Sequence, residues 1–298
     1  MINPLFRFWI TTALPSCFFM TMGILATPYN LHTTYRLLKI FSKKQPLFLL
    51  FAAATAGCLP ELALAIIESV GFWTTIPFCQ VMGNIKIFSF MFKSFTVAII
   101  CTCRAVAVAL PLFYRRVMKK KHVIFLACIP VAISILSVIV LQVLEQIKFM
   151  DMDSYLYVGC TPVIPDKSFG NYLLLVGLFI IVCDMILLLS YIVLHKTLYR
   201  KTIRTSLNTL KKQALKITII IVLSYIICHG PIVIIYLILS FDGALEKMIG
   251  IPMLAFAVDC SAGLFAYAHA SILALIIVST NSLQGTKQAC VLVISRRY

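Results

Sequence analysis

Charged residues are scarce in this sequence of 298 residues. They make up 12% of the chain, about half the share of a typical soluble domain, whereas 61% of the residues are hydrophobic and the mean hydropathy is +1.01. This composition excludes a soluble enzyme, a fibrous protein and a disordered chain. It also predicts no binding to nucleic acid despite the formal net charge of +16, because too little polar surface exists to form such an interface.

Motifs for metal binding and for hydrolysis are missing as well. The eleven cysteines are scattered through apolar stretches, with no CxxC pair and no His and Cys cluster at metal-ligand spacing. Neither HExxH nor GxSxG occurs, and Asp184 and Asp259 lack the flanking sequence of an intramembrane protease. The sequence therefore predicts no metal site, no cofactor and no enzymatic activity.

Long apolar runs are what the sequence does contain, and seven of them reach the roughly 20 residues that a membrane-spanning helix needs. They lie near residues 8–33, 46–73, 78–110, 122–147, 171–195, 214–241 and 251–280, with residues 281–298 left as a tail. We find neither an internal repeat nor a second domain. The pattern predicts an all-α fold, a single seven-transmembrane helix bundle that crosses the plasma membrane several times.

Basic residues concentrate in alternate connections between these runs. Runs such as Lys119–Lys121 lie on one side, whereas the other side carries only Arg7, Lys148, Lys167 and Lys247. Because cytoplasmic connections are enriched in Lys and Arg, we expect an extracellular amino terminus and a cytoplasmic carboxyl terminus. The same basic runs predict attraction to the anionic lipids of the inner leaflet.

The third run carries the most specific motif. Arg104 follows Cys79 by 25 residues, about 37 Å of helix, which puts the cysteine near the outer end and the arginine near the inner end. The block Cys103-Arg104-Ala105-Val106-Ala107-Val108-Ala109-Leu110-Pro111-Leu112-Phe113-Tyr114 resembles the DRYxAxxxPLxY block of rhodopsin-like (class A) G-protein-coupled receptors. That resemblance implies a disulfide between Cys79 and Cys160 of the second outer connection.

Weaker landmarks resemble the same family. Asn30 is similar to its first-helix asparagine, Tyr191 to its fifth-helix tyrosine, and Cys228-His229-Gly230-Pro231 to its CWxP motif, with histidine in place of tryptophan. Pro231 removes one backbone hydrogen bond, so a kink is expected there. The acid before Arg104 is replaced by Cys103, and the NPxxY motif is absent. These departures resemble the odorant or chemosensory branch.

The resemblance implies a receptor that binds a small extracellular ligand and activates a heterotrimeric G protein through a hinge at Pro231. Arg104 is then the candidate contact for the G protein, or else an arginine that snorkels at a helix end. A non-olfactory class A receptor is the alternative within the family. A transporter or channel is the alternative outside it, since ionisable residues lie inside the spans, although the odd span count and the lack of repeats oppose it.

An ionisable residue within a span is a candidate functional site. Lys86 lies two turns inside the third run, where it either binds an acidic ligand or pairs internally with Glu61 or Asp259. Lys93 lies two turns deeper, and we expect it to pair with Asp184, either as a structural ion pair or as a switch. His229 is either a proton-sensitive group or a buried histidine that is merely hydrogen-bonded.

Overall fold

The computed structural model describes residues 14–42, 47–70, 76–143, 148–151, 160–163, 166–202, 219–231, 234 and 268–276. Asp259 and the tail at 281–298 lie outside the described residues. The described helices are α1 (Leu14–Ser42), α2 (Leu47–Val70), α3 (Ile76–Ala109), α4 (Pro111–Val117), α5 (Lys120–Val143), α6 (Asp166–Thr202), α7 (Ile219–Pro231) and α8 (268–276). Two short strands, β1 (Lys148–Asp151) and β2 (Cys160–Val163), lie between α5 and α6.

Four of the described helices are long and apolar enough to cross a membrane. The qualifying segments are Leu47–Ile67, Val81–Ala109, Lys120–Val140 and Leu178–Thr197. An apolar run of this length is helical in lipid because a helix satisfies its backbone N–H and C=O groups internally. α7 is a shorter apolar helix within the described part of the chain.

The helix α3 lies at the centre of the packing. It contacts α2, α5, α6 and both strands, while α1 packs along α2. Within the spans of α2 and α3, 61% and 56% of the residues are buried, against 17% and 28% for α5 and α6. The outer helices therefore turn apolar side chains such as Leu136 and Leu189 outward, as lipid contact requires.

Proline separates α3 from the short helix α4. Leu110 leaves the helical conformation, with φ −129° and ψ 67°, because the residue before a proline is disfavoured there, and Pro111 then starts α4. The chain remains tied across the break, since Leu110 N–H donates to Val106 O at 2.8 Å and Tyr114 N–H donates to Leu110 O at 2.9 Å. This turn brings Tyr114 back beneath the end of α3.

The two strands form an antiparallel hairpin, with Lys148 opposite Val163 and Asp151 opposite Cys160. Both strands contact α3. These two strands are a small exception to the otherwise helical structure of the described residues.

Candidate functional site

A buried ion pair joins α2 to α3. Lys93 Nζ lies 2.6 Å from Glu61 Oε2, and the two side chains are only 0% and 3% exposed. Gly57 permits this approach, because a side-chain carbon at that position would overlap the ring of Phe92. Lys93 therefore pairs with Glu61 and not, as we expected, with Asp184. The acid that bonds Lys93 comes from α2, which packs directly against α3 at this depth.

Asp184 lies on α6 and is half-buried. Its Oδ1 is buried and has no hydrogen-bond partner among the described residues. Tyr225 lies within electrostatic range of Asp184 and of Glu61. Asp184 thus faces the same interior as the ion pair without bonding Lys93.

Three rings from α7 and α8 pack together beside the ion pair. The ring of His229 lies 4.3 Å from that of Tyr225 and 5.0 Å from that of His269, and Tyr225 and His269 are 5.5 Å apart. Phe90 of α3 closes the group at 5.3 Å from His229. Tyr225, His229 and His269 are all 0% exposed, so these rings lie fully inside the bundle.

Neither histidine of this group is hydrogen-bonded within the described part of the chain. Both ring nitrogens of His229 and both of His269 are buried without a partner there. Lys93 lies within electrostatic range of both rings. We use the name central polar cluster for the set that these contacts define, which is Glu61, Lys93, Asp184, Tyr225, His229 and His269.

Sequence analysis named four members of this cluster and missed Tyr225 and His269. Tyr225 is a common residue in an apolar helix and gives no local signal. His269 stands 40 residues after His229 with no shared motif, and only its ionisable ring within an apolar run pointed to it. Pro231, which we expected to form the hinge, lies two residues after His229 on α7.

A second cation lies at the far end of α3. The guanidinium of Arg104 lies over the ring of Phe51 at 4.9 Å from its centroid. Tyr114, on α4 outside the span, is within electrostatic range of Arg104, and burial raises its pKa to about 12. The Thr102 and Ser190 hydroxyls, 3.3 Å apart, connect this end of α3 to α6, where Tyr191 packs against the core.

Hydrogen bonds also tie the first helix to the rest of the bundle. Asn30 Nδ2 donates to Ala270 O of α8 at 3.2 Å and to Ala26 O at 3.0 Å. The buried hydroxyls of Thr34 and Thr55 are 2.7 Å apart and connect α1 to α2. Asn30 therefore holds α1 against the residue that follows His269.

The opposite end of α3 carries Lys86, which is half-buried. Nearby, Gln142 Nε2 donates to Asn84 Oδ1 at 2.5 Å and connects α5 to α3. Cys79 belongs to α3 and Cys160 to β2, two elements in contact, but the side chains of both lie outside what the structure describes. Their disulfide stays a prediction.

The helices and their buried polar interior define a helical-bundle membrane protein. The family described as 7 transmembrane receptor (rhodopsin family) matches residues 47–282, well over half of the chain, and the chain belongs to that family. It is therefore an all-α, multi-pass protein of the plasma membrane, and a receptor rather than an enzyme. No curated protein matches the chain. Among the described residues, no group of three or more His, Cys, Asp or Glu side chains is arranged to hold a metal ion.

Proposed function

We propose that this receptor is a chemosensory receptor of the odorant type that binds a small extracellular acid and activates a heterotrimeric G protein. The ligand class rests on Lys86. This residue precedes Lys93 by seven positions, about two helical turns, so the two lysines share one face of α3. Glu61 is not hydrogen-bonded to Lys86, because its Oε2 bonds Lys93 and its Oε1 has no partner among the described residues.

An anion site at Lys86 would use a half-buried cation on the face of α3 that also carries Lys93. A ligand carboxylate would form a charge-assisted hydrogen bond with the ammonium group of Lys86, directly or by displacing a group that Lys86 already contacts. The site would lie about 10 Å outward from Lys93 along the helix. Ligand contact at Lys86 would then act on the helix that carries Lys93 of the central polar cluster.

The proposed signalling step involves Pro231 on α7 and Arg104 near the end of α3. Pro231 follows His229 directly after Gly230, so a hinge there would move α7 relative to the cluster. Arg104 is proposed to contact the G protein at the cytoplasmic end, with Tyr191 of α6 nearby. A ligand that binds the active arrangement more tightly than the resting one would shift the population toward it.

A cell-based assay of G-protein activation tests this proposal with a panel rich in carboxylic acids. Surface expression is measured in parallel for the wild type, Lys86→Met, Lys86→Arg and Arg104→Ala. We expect an acid to activate the wild type, Lys86→Met to lose at least tenfold in potency, and the charge-retaining Lys86→Arg to keep most of it. Arg104→Ala should bind the acid and fail to signal.

Two results would overturn the proposal of an acid-binding receptor. Activation by neutral compounds that is unchanged in Lys86→Met would exclude the acid-binding role of Lys86. Ligand-independent ion flux at good surface levels, with no G-protein activation, would favour a channel or transporter over a receptor.

A further inference from the structure

Two buried histidines from neighbouring helices face each other in the central polar cluster. The rings of His229 on α7 and His269 on α8 are 5.0 Å apart, with an angle of 69° between their planes. All four of their nitrogens are buried without a hydrogen-bond partner among the described residues. We propose that His229 and His269 form a reversible site for a divalent transition-metal ion of the Zn²⁺ type, a function separate from the acid site at Lys86.

The separation of the rings suits one shared ion. A Zn–N bond is about 2.0–2.1 Å long and the ring centre lies about 1.2 Å behind the nitrogen, so two imidazoles at tetrahedral positions have centres about 5 Å apart. The observed 5.0 Å matches this spacing. Neutral imidazole is also the most common protein ligand for metals of this type.

Lys93 is the charged group within electrostatic range of both rings, and its ammonium group is matched by Glu61 Oε2 at 2.6 Å. Asp184 of α6 lies within electrostatic range of Tyr225, which packs against both rings. An ion at the two histidines would therefore lie near an ion pair and not near an uncompensated ammonium group.

The protein would supply only two of the ligands that the ion needs. No third His, Cys, Asp or Glu among the described residues completes a metal group with these two. Water molecules would occupy the remaining positions, as in zinc sites that keep open positions. Such a site binds and releases its ion and does not hold the fold together, which fits a modulator.

The location of the pair determines the consequence of binding. His229 is followed by Gly230 and Pro231, and His269 precedes Ala270, which accepts a hydrogen bond from Asn30 of α1. An ion held by both rings would oppose the separation of α7 from α8. It would stabilise the arrangement in which the rings are 5.0 Å apart.

Thermal unfolding of the purified full-length receptor in lipid nanodiscs tests the site, with Zn²⁺ alone as the probe. We expect a saturable rise in Tm for the wild type and no rise with Mg²⁺, which prefers oxygen ligands. His229→Phe and His269→Phe should each abolish the rise while keeping the ring contacts with Tyr225. His32→Phe, which removes an exposed histidine of α1, is the matched control and should keep it.

A second measurement on the wild type does not depend on the folding of any variant. Co²⁺ added to the receptor should give the intense visible spectrum of a tetrahedral, nitrogen-ligated ion. The spectrum of hydrated octahedral Co²⁺ would overturn the proposal. An equal Zn²⁺ effect in the two cluster variants, or its loss in His32→Phe, would overturn it too. Neither measurement requires a ligand or a G protein, so a failure of the acid-receptor proposal can be distinguished from a failure of the metal-site proposal.

Discussion

Two cations lie on one face of α3 and contact α2 in different ways. Lys93 bonds the carboxylate of Glu61 inside the bundle, whereas Arg104, eleven residues or about three turns later, lies over the aromatic ring of Phe51. A charge pair in a low dielectric is costly to break, but a cation–π contact contributes only about 0.5–2 kcal/mol. The comparison teaches that α2 holds the middle of α3 through an ion pair and its end through a cation–π contact.

The distribution of acids along the sequence explains the difference. All ten acidic residues lie within the spans or on the side opposite the basic connections, and Cys103 precedes Arg104 where the family motif has an acid. Arg104, near the end of α3, therefore contacts an aromatic ring, whereas Lys93, in the middle of the helix, contacts a carboxylate. Two substitutions examine this contrast and a third examines the tie between α1 and α8, in order from the largest expected effect to the smallest.

Removing the acid at the middle should have the largest effect. Glu61→Leu leaves the ammonium group of Lys93 buried without its carboxylate, and we expect a loss of about 3–5 kcal/mol in the free energy of unfolding. Thermal unfolding of the purified receptor and its surface expression both measure this loss. Retention of wild-type stability would show that Glu61 does not neutralise Lys93.

The matched control removes both charges at once. In Glu61→Leu with Lys93→Met, apolar side chains of similar size replace the ion pair, and stability should return close to the wild-type level or exceed it. If the double variant is as unstable as Glu61→Leu alone, the loss comes from packing rather than from the uncompensated charge.

Weakening the contact between Arg104 and Phe51 should lower the free energy of unfolding by a smaller amount. Phe51→Leu removes the ring beneath Arg104 and should lower the free energy of unfolding by about 1–2 kcal/mol, from lost packing together with the lost cation–π contact. Phe48→Leu makes the same chemical change one turn earlier on α2, at a half-buried ring next to Phe51. Equal losses in the two variants would show that the contact with Arg104 contributes no stability.

The smallest effect is expected at the tie between α1 and α8. Asn30→Ala removes the hydrogen bond to Ala270 O, the residue after His269, and should cost about 1 kcal/mol in unfolding free energy. Thr33→Val is the control, because the Thr33 hydroxyl donates to Tyr29 O within its own helix. Chemical or thermal denaturation should separate the two, and a larger loss in Thr33→Val would contradict the role given to Asn30.

Much of the fold and part of the site could be predicted without coordinates. The apolar runs predicted the membrane helices, and the block around Arg104 predicted the family, because length, hydropathy and local motifs are properties of the chain itself. Glu61, Lys93 and His229 were found as ionisable residues inside spans and do share one cluster. Asp184 was predicted as the partner of Lys93, and this was wrong, since the sequence places acids within spans without showing which helix packs against α3 at the depth of Lys93.

The amino-acid sequence by itself determined that this chain crosses the membrane as helices, because an apolar segment in lipid has no other way to satisfy its backbone. It also determined which charged groups lie inside those helices. Only the tertiary structure decided that Lys93 meets Glu61 and that His229 meets His269. Each residue turns a helix by about 100°, so the rotation and close approach of packed helices, as at Gly57, determine which side chains touch.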